Sequence, residues 1–243
     1  MNGNKIVNSL WISDSIGLIQ KICYNSYYEK KHLVHLYSYG TIDNLPSHVI
    51  LKDANKIIPE KMIFKDFRNS YATFSDWFRI KLLYDLGGWW VDSDTVCIRP
   101  FVIDDEYVFA TEVVDASGKV EICNAVIKMP KHSGIGNAIL RDIETTLEKK
   151  THNSIFWTEI GAQLISANIN EFGLTDFITA PEVFCPINYF DFKSFFSDDN
   201  FEISSETYGV HLWNKMWEWD EIDPSKSFSK QTFFENLKSK YDL

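Results

Sequence analysis

The sequence is short of positive charge, with 24 lysines and arginines against 34 aspartates and glutamates, a net charge of −10 over 243 residues. A general nucleic-acid binder needs a basic surface, so that class is excluded. No apolar run approaches the roughly 20 residues that cross a bilayer. Cysteines are few: Cys23, Cys97, Cys123 and Cys185. No two form a CxxC and no histidine stands at metal-finger spacing from them, so they are expected to be reduced, mostly buried thiols. The opening MNGNKIVNSLWISDS lacks a charged region followed by a long apolar stretch. No secretory signal is therefore expected, and the reducing cytosol becomes the default compartment. Neither an internal repeat nor a low-complexity tract is visible.

What is present describes a folded chain. Hydrophobic residues make up 45% and charged residues 24% of the sequence, ordinary values for a globular protein. A chain of this length buries about 70–75% of its unfolded surface without help from a disulfide or metal. Aromatics reach 15%, with 8 tryptophans. Tryptophan is costly core material because its N–H needs a partner, and rings beyond core demand suit flat platforms for sugars or bases.

Patterning predicts strands alternating with helices. KIVNSLWI reads as a first strand and Ser15 to Tyr28 as a helix, with Ile16, Ile19, Ile22 and Cys23 at helical spacing. HLVHLYSY and HVILKDA read as further strands. The clearest helix runs from Thr73 to Leu86. Thr73 or Ser75 is expected to cap it, Leu82, Leu83 and Leu86 to carry its core contact, and Gly87–Gly88 to end it. WWVDSDTVCIRPF predicts a strand on each side of Asp92–Asp94. EYVFATEVV and ICNAVIKM read as strands, and Gly134 to Lys149 and Glu159 to Asn168 as helices. The expected fold class is α/β, a mostly parallel central sheet flanked by helices. No boundary divides the chain, so one domain over residues 1–243 is expected, ending in a helical tail, 224–243. Lys226, Lys230, Lys238 and Lys240 make that tail basic, which leaves open a solvated final helix or a docking face for a membrane or acidic carrier.

Asp92-Ser93-Asp94 is the first chemical candidate. In extended chain, positions two apart face the same way, so the two carboxylates can converge. At the end of a buried strand such a pair is expensive unless a cation compensates it. Hard divalent ions take oxygen ligands, and Mg²⁺ fills its shell with one or two carboxylates, water and substrate phosphates. A turn with two solvated aspartates remains the plainer alternative. Asp76 and Arg79, three apart, share a helix face. They are either a surface ion pair or a donor–acceptor pair for hydroxyls and phosphates, and the Gly87–Gly88 corner folds the chain from them back to Asp92–Asp94. His211 suits a divalent ion short of a third protein ligand, or is a packed structural histidine beside Trp213 and Trp217. Glu159 could orient an acceptor hydroxyl or could serve the helix start.

These residues carry a resemblance. The block FSDWFRIKLLYDLGGWWVDSDTVCIRPF (Phe74 to Phe101) resembles the signature of retaining glycosyltransferases of the GT-A (Rossmann-like) fold with a DXD motif. These are glycosyltransferase family 32, the capsular-polysaccharide and α-1,4-galactosyltransferase-like enzymes, and more distantly the large clostridial glucosylating toxins. KIVNSLWI, ICNAVI and the Trp157–Gly161 stretch resemble further family segments in order. The resemblance implies that Trp11 flanks uracil and that Asp76 and Arg79 bind the donor sugar. Asp92 would contact ribose or sugar, and Asp94 would ligate Mn²⁺ or Mg²⁺ directly. His211 would sit at the diphosphate or metal, with Trp213 and Asn214 nearby, and Asn124 on the Asn-Ala strand would face the nucleotide sugar. Two departures are visible: the family's Gly-Pro is Gly161-Ala162 here, and Trp89-Trp90 is bulkier than usual.

The implied activity is transfer of a hexosyl group from a UDP-sugar to a glycan or lipid-linked glycan acceptor, with retention, in surface-polysaccharide synthesis. The expected setting is the cytoplasm, with peripheral contact at the inner face of the membrane through the tail. Rival readings are a toxin-like enzyme that glycosylates a protein, a non-catalytic nucleotide-sugar-binding module, and a metal-dependent phosphohydrolase. The last would need a further cluster of ligands.

Overall fold

A computed structural model describes residues 5–156, 158–197 and 203–243. Its centre is a six-stranded sheet in the order β3-β2-β1-β4-β7-β6. The strands are β1 (Ile6–Leu10), β2 (Leu33–Ser38), β3 (Ile50–Asp53), β4 (Gly88–Val91), β6 (Val108–Val113) and β7 (Val120–Met129). β3, β2, β1 and β4 run parallel, and β7 and β6 add antiparallel strands beyond β4. A two-stranded antiparallel ladder, β5 (Thr95–Cys97) with β8 (Gly209–His211), stands apart from it. The mostly parallel sheet expected from the sequence is present, with a mixed edge.

Both faces of the sheet are covered, which is why β4 reads as continuous apolar chain. Trp89 and Val91 join a core built with α1 (Leu18–Glu29), β8, α5 (Asn214–Trp219) and α6 (Phe233–Lys240). Trp90 points the other way, into a core built with α2 (Ala72–Leu86), α3 (Gly134–Lys149) and α4 (Ala162–Glu171). The sheet thus explains the bulky pair, since one ring serves each face and both are fully buried.

The chain leaves β1 through α1 toward β2 and β3, and later inserts β4 on the other side of β1. Where strand order reverses in this way, the loops at the carboxyl ends of the two strands part and open a crevice. Trp11 follows β1 and Asp92 follows β4 at that crevice.

Helix boundaries differ from the sequence expectation for local reasons. α1 begins at Leu18 because the chain before it makes other contacts: the Trp11 indole N–H donates to the Ser15 carbonyl, and Asn44 brackets Ile16. α4 is displaced to Ala162–Glu171. Neither Thr73 nor Ser75 caps α2; the Thr73 hydroxyl donates to Asp66, and Ser75 receives Arg79. Leu86 is exposed rather than in the core.

Gly87 ends α2 at φ +69, with its N–H bonded to the Leu83 carbonyl at 2.8 Å. A Cβ there would lie 2.6 Å from the Lys131 backbone nitrogen. Gly87→Ala therefore combines a left-handed residue with a backbone clash and is expected to cost at least about 2 kcal/mol. A lower urea midpoint at unchanged slope is the readout.

The tail folds back on the domain. Phe234 and Leu237 are buried, Lys238 is buried against Glu235 and the Lys226 carbonyl, and Lys240 pairs with Glu29 of α1 at 2.7 Å. Two of the four lysines are thus engaged internally, and the proposed membrane contact gains no support from this arrangement. Burial would raise the Glu29 carboxyl, but Lys240, Tyr241 and Lys30 outweigh it and lower it to about 2. Its ordinary value is near 4.5, so the stabilisation is present above that pH and is lost as pH falls toward 2. The protection of the α6 amides, taken relative to the intrinsic exchange rate at each pH, should fall between pH 5 and pH 3, and Glu29→Gln should lower it at pH 5 and remove most of that pH dependence.

Candidate active site

The site is assembled at the crevice between β1 and β4. A cavity of about 390 Å³ is lined by Trp11, Ser75, Arg79, Asp92, Asp94 and Lys215, among others. β4 places Trp90 and Asp92 on one face, two residues apart, and the Trp90 indole N–H donates to Asp92 Oδ1 at 2.7 Å. The same face meets α2, whose Arg79 guanidinium reaches Asp92 Oδ1 at 3.0 Å and Asp76 Oδ1 at 3.2 Å. Arg79 also donates to the Asn124 carbonyl and to Ser75, and lies 5.1 Å from the Trp90 ring centre. Asp76 and Arg79 are therefore not a surface pair: they are 6% and 4% exposed. Asn124 Nδ2 donates to Asp76 Oδ1 at 2.8 Å.

Asp94 faces the other ladder. Its Oδ1 lies 3.3 Å from His211 Nε2, and its Oδ2 accepts the Asn214 backbone N–H at 2.9 Å. Pairing of Thr95 with His211 in β5–β8 sets that approach. Behind His211, Nδ1 is 3.9 Å from Cys123 Sγ, and the Trp213 ring packs at 4.0 Å between centroids. Trp213 itself is anchored by its N–H to the Ile187 carbonyl and adopts φ +56. Ligand atoms of Asp92, Asp94 and His211 all lie within 4.8 Å of one another. Two carboxylates and an imidazole at that spacing fit a hard divalent ion such as Mn²⁺ or Mg²⁺.

Electrostatics follow from burial against these partners. Burial pushes Asp76 up to about 6 even with Arg79 opposing it. Asp92 is likewise raised, by burial first and by Asp94, against Arg79. Burial would raise Asp94 too, but His211 and the Asn214 N–H outweigh it and the net direction is down. Burial opposes charge on His211, yet Asp94 raises it well above its usual range.

Among the residues expected to act, Asp76, Arg79, Asp92, Asp94, Asn124, His211 and Asn214 form one connected cluster. Trp11 lines the cavity and Trp213 supports His211. Glu159 stands outside the cluster. Its Oε1 lies 2.5 Å from Lys150 Nζ and its Oε2 accepts the Phe156 N–H, so it fixes the turn before α4. Trp157 of the same stretch lies outside the described residues. Sequence reasoning overlooked Trp90, Lys215 and the Cys123–Cys185 pair beside His211. Strand alternation held the signal for two of them. Trp90 is two before Asp92, and Cys123 is one before Asn124, so Cys123 faces His211 while Asn124 faces Asp76.

Comparison with known proteins bears on the family and the fold. Residues 132–240 match the alpha 1,4-glycosyltransferase conserved region, and residues 13–157 match the capsular polysaccharide synthesis protein family. No curated protein matches the chain. Among solved structures, the PaToxG glycosyltransferase is similar over 71% of each chain, at 16% identity and TM-score 0.53. The apo-form glycosyltransferase GlyE of Streptococcus pneumoniae TIGR4 is similar over 98% of this chain and 60% of that one, at 16% identity and TM-score 0.52. Both likenesses are of fold. With a family match over more than half its length and a GT-A sheet, the chain belongs to the capsular polysaccharide synthesis protein family and is a glycosyltransferase.

Proposed function

We propose that the protein is a metal-dependent, retaining hexosyltransferase that uses a UDP-sugar and extends a glycan or lipid-linked glycan of the cell surface. The observation that carries this reading is the convergence of Asp92, Asp94 and His211 within 4.8 Å beside a cavity that also holds Trp11 and Arg79. Asp94, Asp92 and His211 would hold the divalent cation, whose chemistry when bound is to neutralise charge on a leaving diphosphate.

The protein's own groups do the positioning. Trp11 offers an indole at the cavity wall for the base. Arg79, fixed by Asp76, Asp92 and the Asn124 carbonyl, presents a guanidinium that needs no reorientation when the donor arrives, and such preorganisation lowers the barrier. Lys215 adds positive charge on the diphosphate side, tempered by its pairing with Glu218 at 2.5 Å. The acceptor enters on the face that the diphosphate leaves, which retains the anomeric configuration. The whole chain acts as one GT-A domain with its terminal helix packed on it. All four cysteines are buried and unbridged, in keeping with a cytoplasmic setting; any peripheral membrane contact would use the lysines that the fold leaves exposed.

A panel of UDP-sugars with Mn²⁺, followed by UDP release with and without glycan extracts, tests this reading. Turnover separates an enzyme from a binding module, because both bind nucleotide. Release from one UDP-sugar, abolished by chelator and restored by Mn²⁺, is the expected result. Release that is indifferent to chelator contradicts it.

A further inference from the structure

Cys123, Cys185 and His211 are far apart in the sequence, yet their sulfur and ring-nitrogen atoms all lie within 4.8 Å of one another. Three segments bring them together. Cys123 stands on β7 and His211 ends β8. The His211 backbone N–H donates to the Phe184 carbonyl at 3.0 Å, which holds Cys185 against β8. All three residues are buried. The two edges of the imidazole meet different partners: Nε2 faces Asp94 Oδ1 at 3.3 Å, and Nδ1 faces Cys123 Sγ at 3.9 Å. Carboxylates select hard ions and thiolates select soft ones. One ring is therefore shared between a hard ligand set and a soft one. Zn²⁺ binds sulfur at about 2.3 Å and nitrogen at about 2.0–2.1 Å, so its tetrahedral ligands stand roughly 3.5–3.8 Å apart. Side-chain adjustments of about 1 Å or less bring the cluster to that spacing.

We propose that Cys123, Cys185 and His211 Nδ1 form a second metal site, for a thiophilic ion such as Zn²⁺, and that filling it inhibits the hard-ion site by taking its histidine. Two thiolates balance the charge of Zn²⁺, which suits a buried position, and the thiol protons leave to solvent as the ion enters. Water takes the fourth position. Asp94, at the neighbouring edge of the ring, lines the donor cavity and marks the route in. A ring bound through Nδ1 keeps its one N–H on Nε2, where Asp94 accepts it. A carboxylate behind a zinc-bound histidine fixes its tautomer and orientation in this way. An Nε2 that carries a proton has no lone pair for Mn²⁺ or Mg²⁺, so the hard ion is left with Asp92 and Asp94 alone. The inhibition rests on the hard-ion reading of the donor site; the thiol site itself does not.

Co²⁺, which substitutes for Zn²⁺, tests the site because sulfur ligands give it a near-ultraviolet charge-transfer band that oxygen and nitrogen ligands do not. Titration of the full, reduced chain should develop this band and saturate at one Co²⁺ per chain, and Zn²⁺ should bleach it. The band should be lost when Cys123→Ala and Cys185→Ala are combined, and kept in Cys97→Ala, which removes a buried thiol outside the cluster. Circular dichroism controls for folding. No band in the wild type, or a band that survives in the combined variant, would overturn the site. Mn²⁺ with UDP should weaken Co²⁺ binding, read at the same band, about tenfold or more, since coupling between two sites is reciprocal. Undiminished Co²⁺ affinity while Mn²⁺ is bound, as shown by electron paramagnetic resonance, would overturn the inhibition. Failure of Mn²⁺ to bind the cobalt-free protein counts instead against the donor site, and the thiol site is still decided by its band, so the two readings fail separately.

Discussion

Asp94→Asn is expected to lower kcat for transfer on the order of 10³-fold while leaving the fold intact. The magnitude follows from losing several kcal/mol of charge stabilisation on the leaving group. The fold should survive because the amide oxygen still accepts the Asn214 N–H, which wild-type Oδ2 takes at 2.9 Å. What the variant lacks is the negative charge facing His211 at 3.3 Å. The same pair predicts a pH dependence. Asp94 holds the His211 imidazole protonated well above its usual range despite burial, and an incoming cation must displace that proton. Apparent Mn²⁺ affinity should therefore rise with pH, by up to about tenfold per unit until His211 is deprotonated. UDP release against Mn²⁺ at several pH values, with circular dichroism as the fold control, checks both statements.

Arg79→Ala carries the second large effect, on stability as well as rate. The guanidinium is buried and is shared among Asp76, Asp92, the Asn124 carbonyl and Ser75. Removing it leaves two buried carboxylates without their common cation, and breaking a buried pair from one side costs about 3–5 kcal/mol. For a chain of this size that is a fall of roughly 10 °C in Tm. Asp76 already has its pKa raised by burial to about 6, from an ordinary 3.8. A raised carboxyl contributes most below its unfolded pKa and loses that contribution as pH rises through the folded value. The stability deficit of the variant should thus be larger at pH 8 than at pH 5. Arg79→Lys should not restore activity, because one ammonium cannot bridge two carboxylates and a carbonyl in a plane. Thermal melts at both pH values, with UDP release, provide the readout. An unchanged Tm would show that the two carboxylates do not depend on this residue.

The site was largely legible in the sequence because its signals are local. Asp92 and Asp94 flank Ser93 at a strand end, Asp76 and Arg79 share a helical turn, and a glycine corner joins the two segments. Strand and helix periodicities were enough to place them side by side. The long-range parts were harder. Whether His211 was a ligand or a packed histidine could not be read from GVHLW; the β5–β8 ladder decides what it faces, and a three-residue strand has almost no periodic signature. Glu159 could equally orient an acceptor hydroxyl or serve a helix start on sequence grounds, and only the fold shows its carboxylate on Lys150, nine residues earlier, and on the Phe156 N–H. The antiparallel edge formed by β7 and β6 was also hidden, since strand direction depends on connections that propensity does not encode. The expected cap of α2 was misplaced because the Thr73 hydroxyl is engaged with Asp66, to which it donates, instead of with its own helix start.

The metal site is tested most directly by diffraction at the manganese absorption edge from crystals grown with Mn²⁺ and UDP. A single strong anomalous peak between the Asp94 carboxylate and His211 Nε2, next to the nucleotide diphosphate, is the predicted result. Bound UDP with no such peak, or a peak remote from both residues, would contradict it.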